Sequence, residues 1–370
     1  MKNDCYLGTR KGLFTLAQTS NGWEIVDSAF LGVPVPMVLT DRRNGRLYAV
    51  VEHGHFGTKL QCSEDGGKTW EEIGTPAYPE KPDDVPDIIC PMRQVAIPWS
   101  LEKIWCLEAG GDAYLDRLWC GTIPGGLFRS DDRGGSWELV RSLWDRPERA
   151  KWFGGGYDFP GIHSITVHPS RNDEISVAVS VGGVWQSSDS GDTWECRSDG
   201  MVADYLPPEQ ASDPASQDPH RMVQCLSNPD HLWIQHHCGI YRSTDNCGKW
   251  ERIVNKEPSD FGFAVAVHPQ NPEKAWFVPA VKDENRIPVR GRLVVTRTSD
   301  GGTSFSTQSK GLPQESAYDL MYRHCLEMDP SGTTLMMGST TGNVWSSADQ
   351  GVTWMSVSHN LPPVYCVRFG

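Results

Sequence analysis

Apolar and polar residues alternate along this chain in short runs broken by Gly, Asp and Pro, and the three-to-four spacing of an amphipathic helix is nearly absent. Ile162 to His168, Glu174 to Ser180, Gly183 to Ser188 and Thr193 to Arg197 read as four successive strands, a to d, with Gly182 and Gly183 turning b into c. The last turn of this unit, Ser187-Ser-Asp189-Ser-Gly191-Asp-Thr193-Trp194, follows a pattern S-x-D-x-G-x-[ST]-W that recurs at Ser63 to Trp70, Ser130 to Trp137 and Ser347 to Trp354. Two further copies keep the aspartate but depart elsewhere: Cys247 and Lys249 replace Gly and Thr or Ser before Trp250, and the copy at Thr298, Asp300, Gly302 and Ser304 closes with Phe305. A shortened version, Thr19 to Trp23, makes seven units.

Each repeat is a turn between two strands, in which the aspartate accepts hydrogen bonds from its own turn, the glycines supply positive φ and the indole is buried. A carboxylate satisfied in that way is structural and not free for a substrate. The six full copies resemble the Asp-box, or BNR, repeat of sialidases, sortilin-type receptors and some endoglucanases, a resemblance that implies a β-propeller. Val364 to Phe369 reads as an inner strand without outer partners, and Cys5 to Arg10, Gly12 to Gln18 and Trp23 to Ala29 read as b, c and d without an inner one. Together they complete one blade and leave no open sheet edge. The expectation is an all-β, seven-bladed propeller of four-stranded antiparallel blades, one domain over residues 1–370.

The resemblance to sialidases stops at the scaffold, because the Arg-Ile-Pro motif at Arg286 to Pro288 falls in the wrong blade for that family. The chain is more closely similar to bacterial BNR-repeat proteins of glycosyl-hydrolase-like type, through Gly8-Thr-Arg-Lys-Gly-Leu-Phe14, Gln235-His-His-Cys-Gly-Ile-Tyr-Arg-Ser243 and Leu361-Pro-Pro-Val-Tyr365. That resemblance implies a sialidase-like fold and no particular substrate.

Composition narrows the partners. Acidic residues outnumber basic ones 47 to 34, giving a net charge of −13, the wrong sign for a nucleic-acid or anionic-membrane partner. No apolar run approaches the ~18 residues of a membrane span, and the start of the chain carries no apolar signal core, so a cytoplasmic location is expected. Eleven cysteines without a C-x-x-C pair suit buried, reduced thiols.

If the aspartate turns join strands c and d, the b–c and d–a loops emerge on the opposite face. The long d–a connections at 74–102, 141–161 and 198–221 would overhang one funnel there. Histidines gather on that side. His53 and His55 lie in one b–c turn and His236 and His237 in another three blades away, while His163, His220 and His324 sit on inner strands. Such a ring suits a divalent transition metal (Zn, Fe, Cu or Ni), with His53, His55, His163, His236, His237 and His324 as ligands and the His53-x-His55 alternation aiming two rings the same way. His168 and His268, in Val-His-Pro at the far end of strand a, are structural.

For acid/base chemistry, Asp158, Asp218, His220 and Asp319 are the candidates, with Glu52 nearby. Arg10, Lys11, Arg286, Arg323, Tyr157 and Trp152 are candidates for holding an anionic or polyhydroxylated substrate. The sequence therefore points to a hydrolase or lyase acting on a small polar or carbohydrate-like substrate. The competing expectation is a propeller that binds a glycan or peptide through Trp144, Trp152, Tyr157 and Tyr205 without chemistry.

Overall fold

The computed structural model describes residues 4–254 and 257–370. Short β-branched and aromatic runs pair with their sequence neighbours into seven four-stranded antiparallel sheets, the blades of a seven-bladed propeller. The inner strands are Val364–Phe369, Met37–Asp41, Lys103–Ala109, Gly161–Val167, Pro219–Gln224, Gly262–His268 and Leu326–Met328. Each packs against the inner strands of the two neighbouring blades, and the seventh packs against the first, so the ring is closed. Closure works as the sequence predicts: Val364–Phe369 pairs antiparallel with Asp4–Thr9, which pairs with Gly12–Thr19, and that with Gly22–Ala29. Beyond sheet pairing, Thr40 Oγ1 donates to the Phe369 carbonyl across to the second blade, at 2.8 Å.

The aspartate turns lie between strands c and d, and five of the six share one full hydrogen-bond scheme. In the fourth blade Asp189 accepts from Ser187 Oγ at 2.8 Å, from the Thr193 amide at 2.8 Å and from Thr193 Oγ1 at 2.6 Å. The fifth-blade copy loses the hydroxyl contact because Lys249 replaces the threonine, and only the Lys249 amide and Ser243 Oγ remain on Asp245. There Cys247 also takes the left-handed φ of 65° that glycine takes in the other five copies, a conformation unfavourable for a residue with a Cβ. The closing indoles lock each turn. Trp194 Nε1 donates to the Gly191 carbonyl of its own turn, whereas Trp137 and Trp250 reach Gly74 and Arg197 of the preceding blade.

Large aromatics on strands b and c fill the spaces between blades, including Trp119, Trp185, Trp233, Trp276 and Trp345, each almost fully buried. The long d–a connections are ordered rather than loose: 141–161 contains a single helical turn at Arg141–Trp144 and a 3-10 turn at Pro147–Lys151, and 198–221 a 3-10 turn at Pro214–Ser216. Trp144 and Trp152 are buried in the first of these and unavailable to a ligand. Among the described residues no helix is long and apolar enough to cross a membrane.

Substitution of Asp189 by Ala removes three acceptor contacts and should lower stability by about 1–3 kcal/mol in urea unfolding, against under ~0.5 kcal/mol for Asp192→Ala on the same turn. Hydrogen bonds hold the carboxyls of Asp65, Asp132, Asp189, Asp300 and Asp349 below the usual range, to about 2 for Asp65 and Asp300. A depressed folded-state pKa contributes stability that is complete above the ordinary value near ~4 and lost as pH falls toward about 2. Acid titration of the unfolding midpoint should therefore show a decline within that window, and a flat profile there would contradict the turn chemistry.

Candidate functional site

The b–c turns and d–a connections surround one mouth of the axial channel, and the start of each inner strand forms its floor. At the floor of the fifth blade the chain runs Gln217-Asp218-Pro219-His220 into its inner strand, beside the b–c turn His236-His237-Cys238. Antiparallel pairing of Pro219 with His236 sets these two segments side by side, and the His237 amide donates to the Asp218 carbonyl at 2.9 Å. Register therefore brings Asp218, His220 and His237 together. Asp218 Oδ2 stands 3.4 Å from His220 Nε2 and 3.3 Å from His237 Nδ1. Asp218 and His220 are buried, and His237 keeps a quarter of its side chain exposed.

The partners of this cluster are fixed by its neighbours. Asp218 Oδ1 accepts from the Val181 amide at 3.2 Å, and His220 Nδ1 lies 2.7 Å from the Gly262 carbonyl of the sixth blade. The His220 ring stacks on Phe263 at 4.5 Å, and His237 meets Tyr205 and Phe261 edge-on. Burial alone would raise the Asp218 carboxyl, but His220 and His237 outweigh it and hold the group well below the usual range. Burial lowers the pKa of His220 despite Asp218, whereas in the more exposed His237 the contact with Asp218 overcomes burial and raises it.

Arg323 forms the second part of the site. It is only 5 % exposed, yet among the described residues its guanidinium makes no ion pair and its Nε has no hydrogen-bond partner. It lies 4.5 Å over Trp105 and 5.7 Å from Phe263, with Gly156 so close that a Cβ there would stand 3.0 Å from Nη2. Desolvation brings its pKa down to about 10, which leaves it cationic at neutral pH. Tyr157, 47 % exposed, meets Trp105 edge-on at the rim. Arg286 sits over Phe263 at 5.3 Å but is engaged by Asp283 at 2.6 Å.

The other sequence candidates have partners of their own or lie away from this centre. His163 is wholly buried with both nitrogens engaged, Nε2 at 2.7 Å from the Pro219 carbonyl and Nδ1 at 2.9 Å from Ser164 Oγ, so no lone pair remains for a metal. The amides of Asp218 and Cys238 approach Nε2 and Nδ1 of His236, each at 3.0 Å; the neutral ring accepts from one of them, and the packing fixes the ring beside the Asp218 backbone. His324 Nδ1 is taken by Arg368 at 3.1 Å and its Nε2 is buried without a partner. The alternation expected of His53 and His55 fails because Gly54–Phe56 is a 3-10 turn, which rotates successive side chains instead of alternating them. Among the described residues, the grouping able to hold a metal is Asp218, His220 and His237, with none of the other five candidate histidines in it.

Three further carboxylate and binding candidates have partners or packing of their own. Asp319 is tied by Ser339, Thr341 and Asn343 to the b–c turn of its own blade, and exposed Asp158 pairs with Arg93. Trp152, fully buried against Trp185, belongs to the core. Arg10 and Lys11 are exposed at the rim, and Glu52 is paired with Lys103 at 2.6 Å. Trp105, Phe261 and Phe263 line the site without having been singled out from sequence; Trp105 sits where the register of its inner strand shifts between Ile104 and Cys106, which strand alternation does not announce. A cavity of about 390 Å³ lies elsewhere, at the opposite mouth of the channel, lined by Arg221, Arg368, Glu108 and Glu327 among others.

Against known proteins, no family model matches the chain. It is 25% identical over 222 residues to the oligoxyloglucan-reducing end-specific xyloglucanase of Emericella nidulans, which covers 53% of this chain and 26% of that enzyme. Among solved structures it is similar to the GH74 xyloglucanase from Xanthomonas campestris, with a TM-score of 0.64 and 17% identity over 96% of this chain and 52% of that one. It is also similar to YCF48 bound to D1 peptide, with a TM-score of 0.56 and 14% identity over 94% of this chain and 90% of that one. The chain thus spans about a quarter of the curated relative and half of the xyloglucanase structure. At these identities the structural likenesses carry the fold, a propeller scaffold that carbohydrate-active and peptide-binding proteins share.

If Trp152 is core, Trp152→Ala should cost about 3–5 kcal/mol of stability by denaturant unfolding. At a temperature where the variant stays folded, ligand binding at the funnel should change less than about twofold; a selective loss of binding would return Trp152 to the site.

Proposed function

We propose that the funnel is the active site of a hydrolase or lyase acting on a small, carbohydrate-like substrate that carries a negative charge. Asp218, His220 and His237 are its reactive centre and Arg323 its anion anchor. The observation that carries this reading is the pairing of a buried carboxylate–imidazole cluster with a buried guanidinium that, among the described residues, makes no ion pair and feels the Asp218 carboxylate of that cluster only at longer range. Burying such a charge is costly unless a ligand compensates it, and a planar guanidinium on an aromatic shelf suits a carboxylate or other oxyanion. Partly exposed His237 faces the incoming substrate and is the group placed to handle protons or the attacking water. The xyloglucanase relatives support a carbohydrate substrate class, and the six aspartate turns support placing the chain among Asp-box propellers. Eleven free cysteines accord with a reducing, cytoplasmic setting.

A second reading is favoured by the YCF48 structure, which has a peptide bound and matches this chain along nearly the whole of both. In that reading Tyr157 and Tyr205, exposed by 47% and 40%, grip an acidic peptide and no bond is broken.

The test is to incubate the protein with neutral xyloglucan oligosaccharides and with uronate-containing oligosaccharides. New reducing ends report hydrolysis, and the ultraviolet band of unsaturated uronate reports elimination. Turnover of the charged set, reduced roughly 10- to 100-fold by Arg323→Gln and abolished by Asp218→Asn in folded protein, is the expected result. Binding of an acidic peptide at the funnel with no turnover of either sugar set would replace the enzyme reading by the second one.

A further inference from the structure

We infer that Asp218 Oδ2, His220 Nε2 and His237 Nδ1 form a tetrahedral site for one divalent transition metal, zinc by ligand chemistry, with the fourth position open to the funnel. The inference deepens the proposed function, since it rests on the same site, but it can be tested without any substrate.

Three observations carry it. The first is size. A tetrahedral ion with bonds of about 2.0–2.1 Å to nitrogen and oxygen has ligand–ligand edges of about 3.3–3.4 Å. The two edges that meet at Asp218 Oδ2 measure 3.4 Å and 3.3 Å, and all three ligand atoms lie within 4.8 Å of one another. Hydrogen bonds between a charged imidazole and a carboxylate are shorter, about 2.7–2.9 Å.

The second observation is the tautomer of His220. The Gly262 carbonyl, 2.7 Å from Nδ1, can only accept, so Nδ1 carries the proton. In the neutral ring Nε2 is then a bare lone pair facing a carboxylate oxygen, in a place 97 % removed from solvent on the His220 side chain. Two lone pairs facing each other are stabilised by a cation between them.

The third is the surrounding shell. His220 donates its other nitrogen to a backbone carbonyl, Asp218 accepts an amide at its other oxygen, and His236 holds the Asp218 backbone, which is how ligands of a metal site are oriented. Two imidazoles and one carboxylate with a free fourth position match the ligand count of hydrolytic zinc centres, where the metal makes bound water a nucleophile at neutral pH. His237 comes from a turn and the other two ligands from a strand start, so the site forms only when the fifth blade is in register.

The experiment strips the purified protein with a chelator, then titrates Zn²⁺ and, separately, Co²⁺, whose visible absorption distinguishes tetrahedral from octahedral coordination. Expected are about one equivalent of zinc per chain, an intense tetrahedral Co²⁺ band, and loss of both in His237→Ala and Asp218→Asn, with binding kept in His53→Ala and His163→Gln. His237 sits in a partly exposed turn, so its variant tests the site even where His220→Ala fails to fold. No stoichiometric binding to stripped wild-type protein, or binding indifferent to His237→Ala and Asp218→Asn, overturns the inference. Zinc bound as described with no sugar turned over defeats the proposed function alone, and turnover by protein that binds no zinc on titration defeats the metal alone.

Discussion

The molecule depends on what joins one inner strand to the next, because among the described residues the strand ladders stay within a blade. A backbone bond from the Val367 amide to the His324 carbonyl crosses from the first blade to the seventh, and side chains serve at other junctions. His163 of the fourth blade reaches the Pro219 carbonyl of the fifth, and His220 of the fifth reaches the Gly262 carbonyl of the sixth. Thiols do the same more weakly: Cys106 approaches the Ile162 carbonyl of the fourth blade and Cys325 the Val364 carbonyl of the first. A donor short enough to fit beside the axis is required at each position, and imidazole and thiol supply one without a charge to desolvate.

That requirement explains what sequence reasoning read well and what it overread. The number of blades, the strand order and the closure of the ring by the two ends were legible, because the Ser-x-Asp turn leaves a local imprint that needs no tertiary knowledge. The abundance of histidine at strand starts was equally legible, but its meaning was not. A histidine that donates across a blade boundary and one that faces a ligand occupy the same kind of position, and only partners distinguish them. Thus His163 is spent on Pro219, while His220, two residues after Asp218, keeps Nε2 for the site. The turn of His53 and His55 was misjudged for a different reason, since Gly54 and Gly57 permit a 3-10 loop that an alternating pattern does not announce.

Arg323 illustrates what no single-sequence pattern holds. Its environment comes from Trp105 of the third blade, Phe263 of the sixth and Gly156 of a long connection, and its lack of a direct ion pair among the described residues is a property of the assembled funnel. Several other cations at that mouth are answered by acids, Lys103 by Glu52, Arg286 by Asp283 and Arg93 by Asp158, while Arg10 and Lys11 stand exposed to solvent at the rim.

If the site holds an anion as proposed, charge at two length scales sets how it selects. A chain of net charge −13 repels anions at a distance, and the ion pairs around the rim do little to reverse that field. Attraction begins only where the substrate passes the rim and the guanidinium is the nearest charge, in surroundings too dry to screen it. A neutral polymer gains nothing from that step, and a polyanion loses more outside than it recovers inside. The arrangement favours a small ligand with one or a few negative groups, presented to a cluster whose own carboxylate is buried behind two imidazoles.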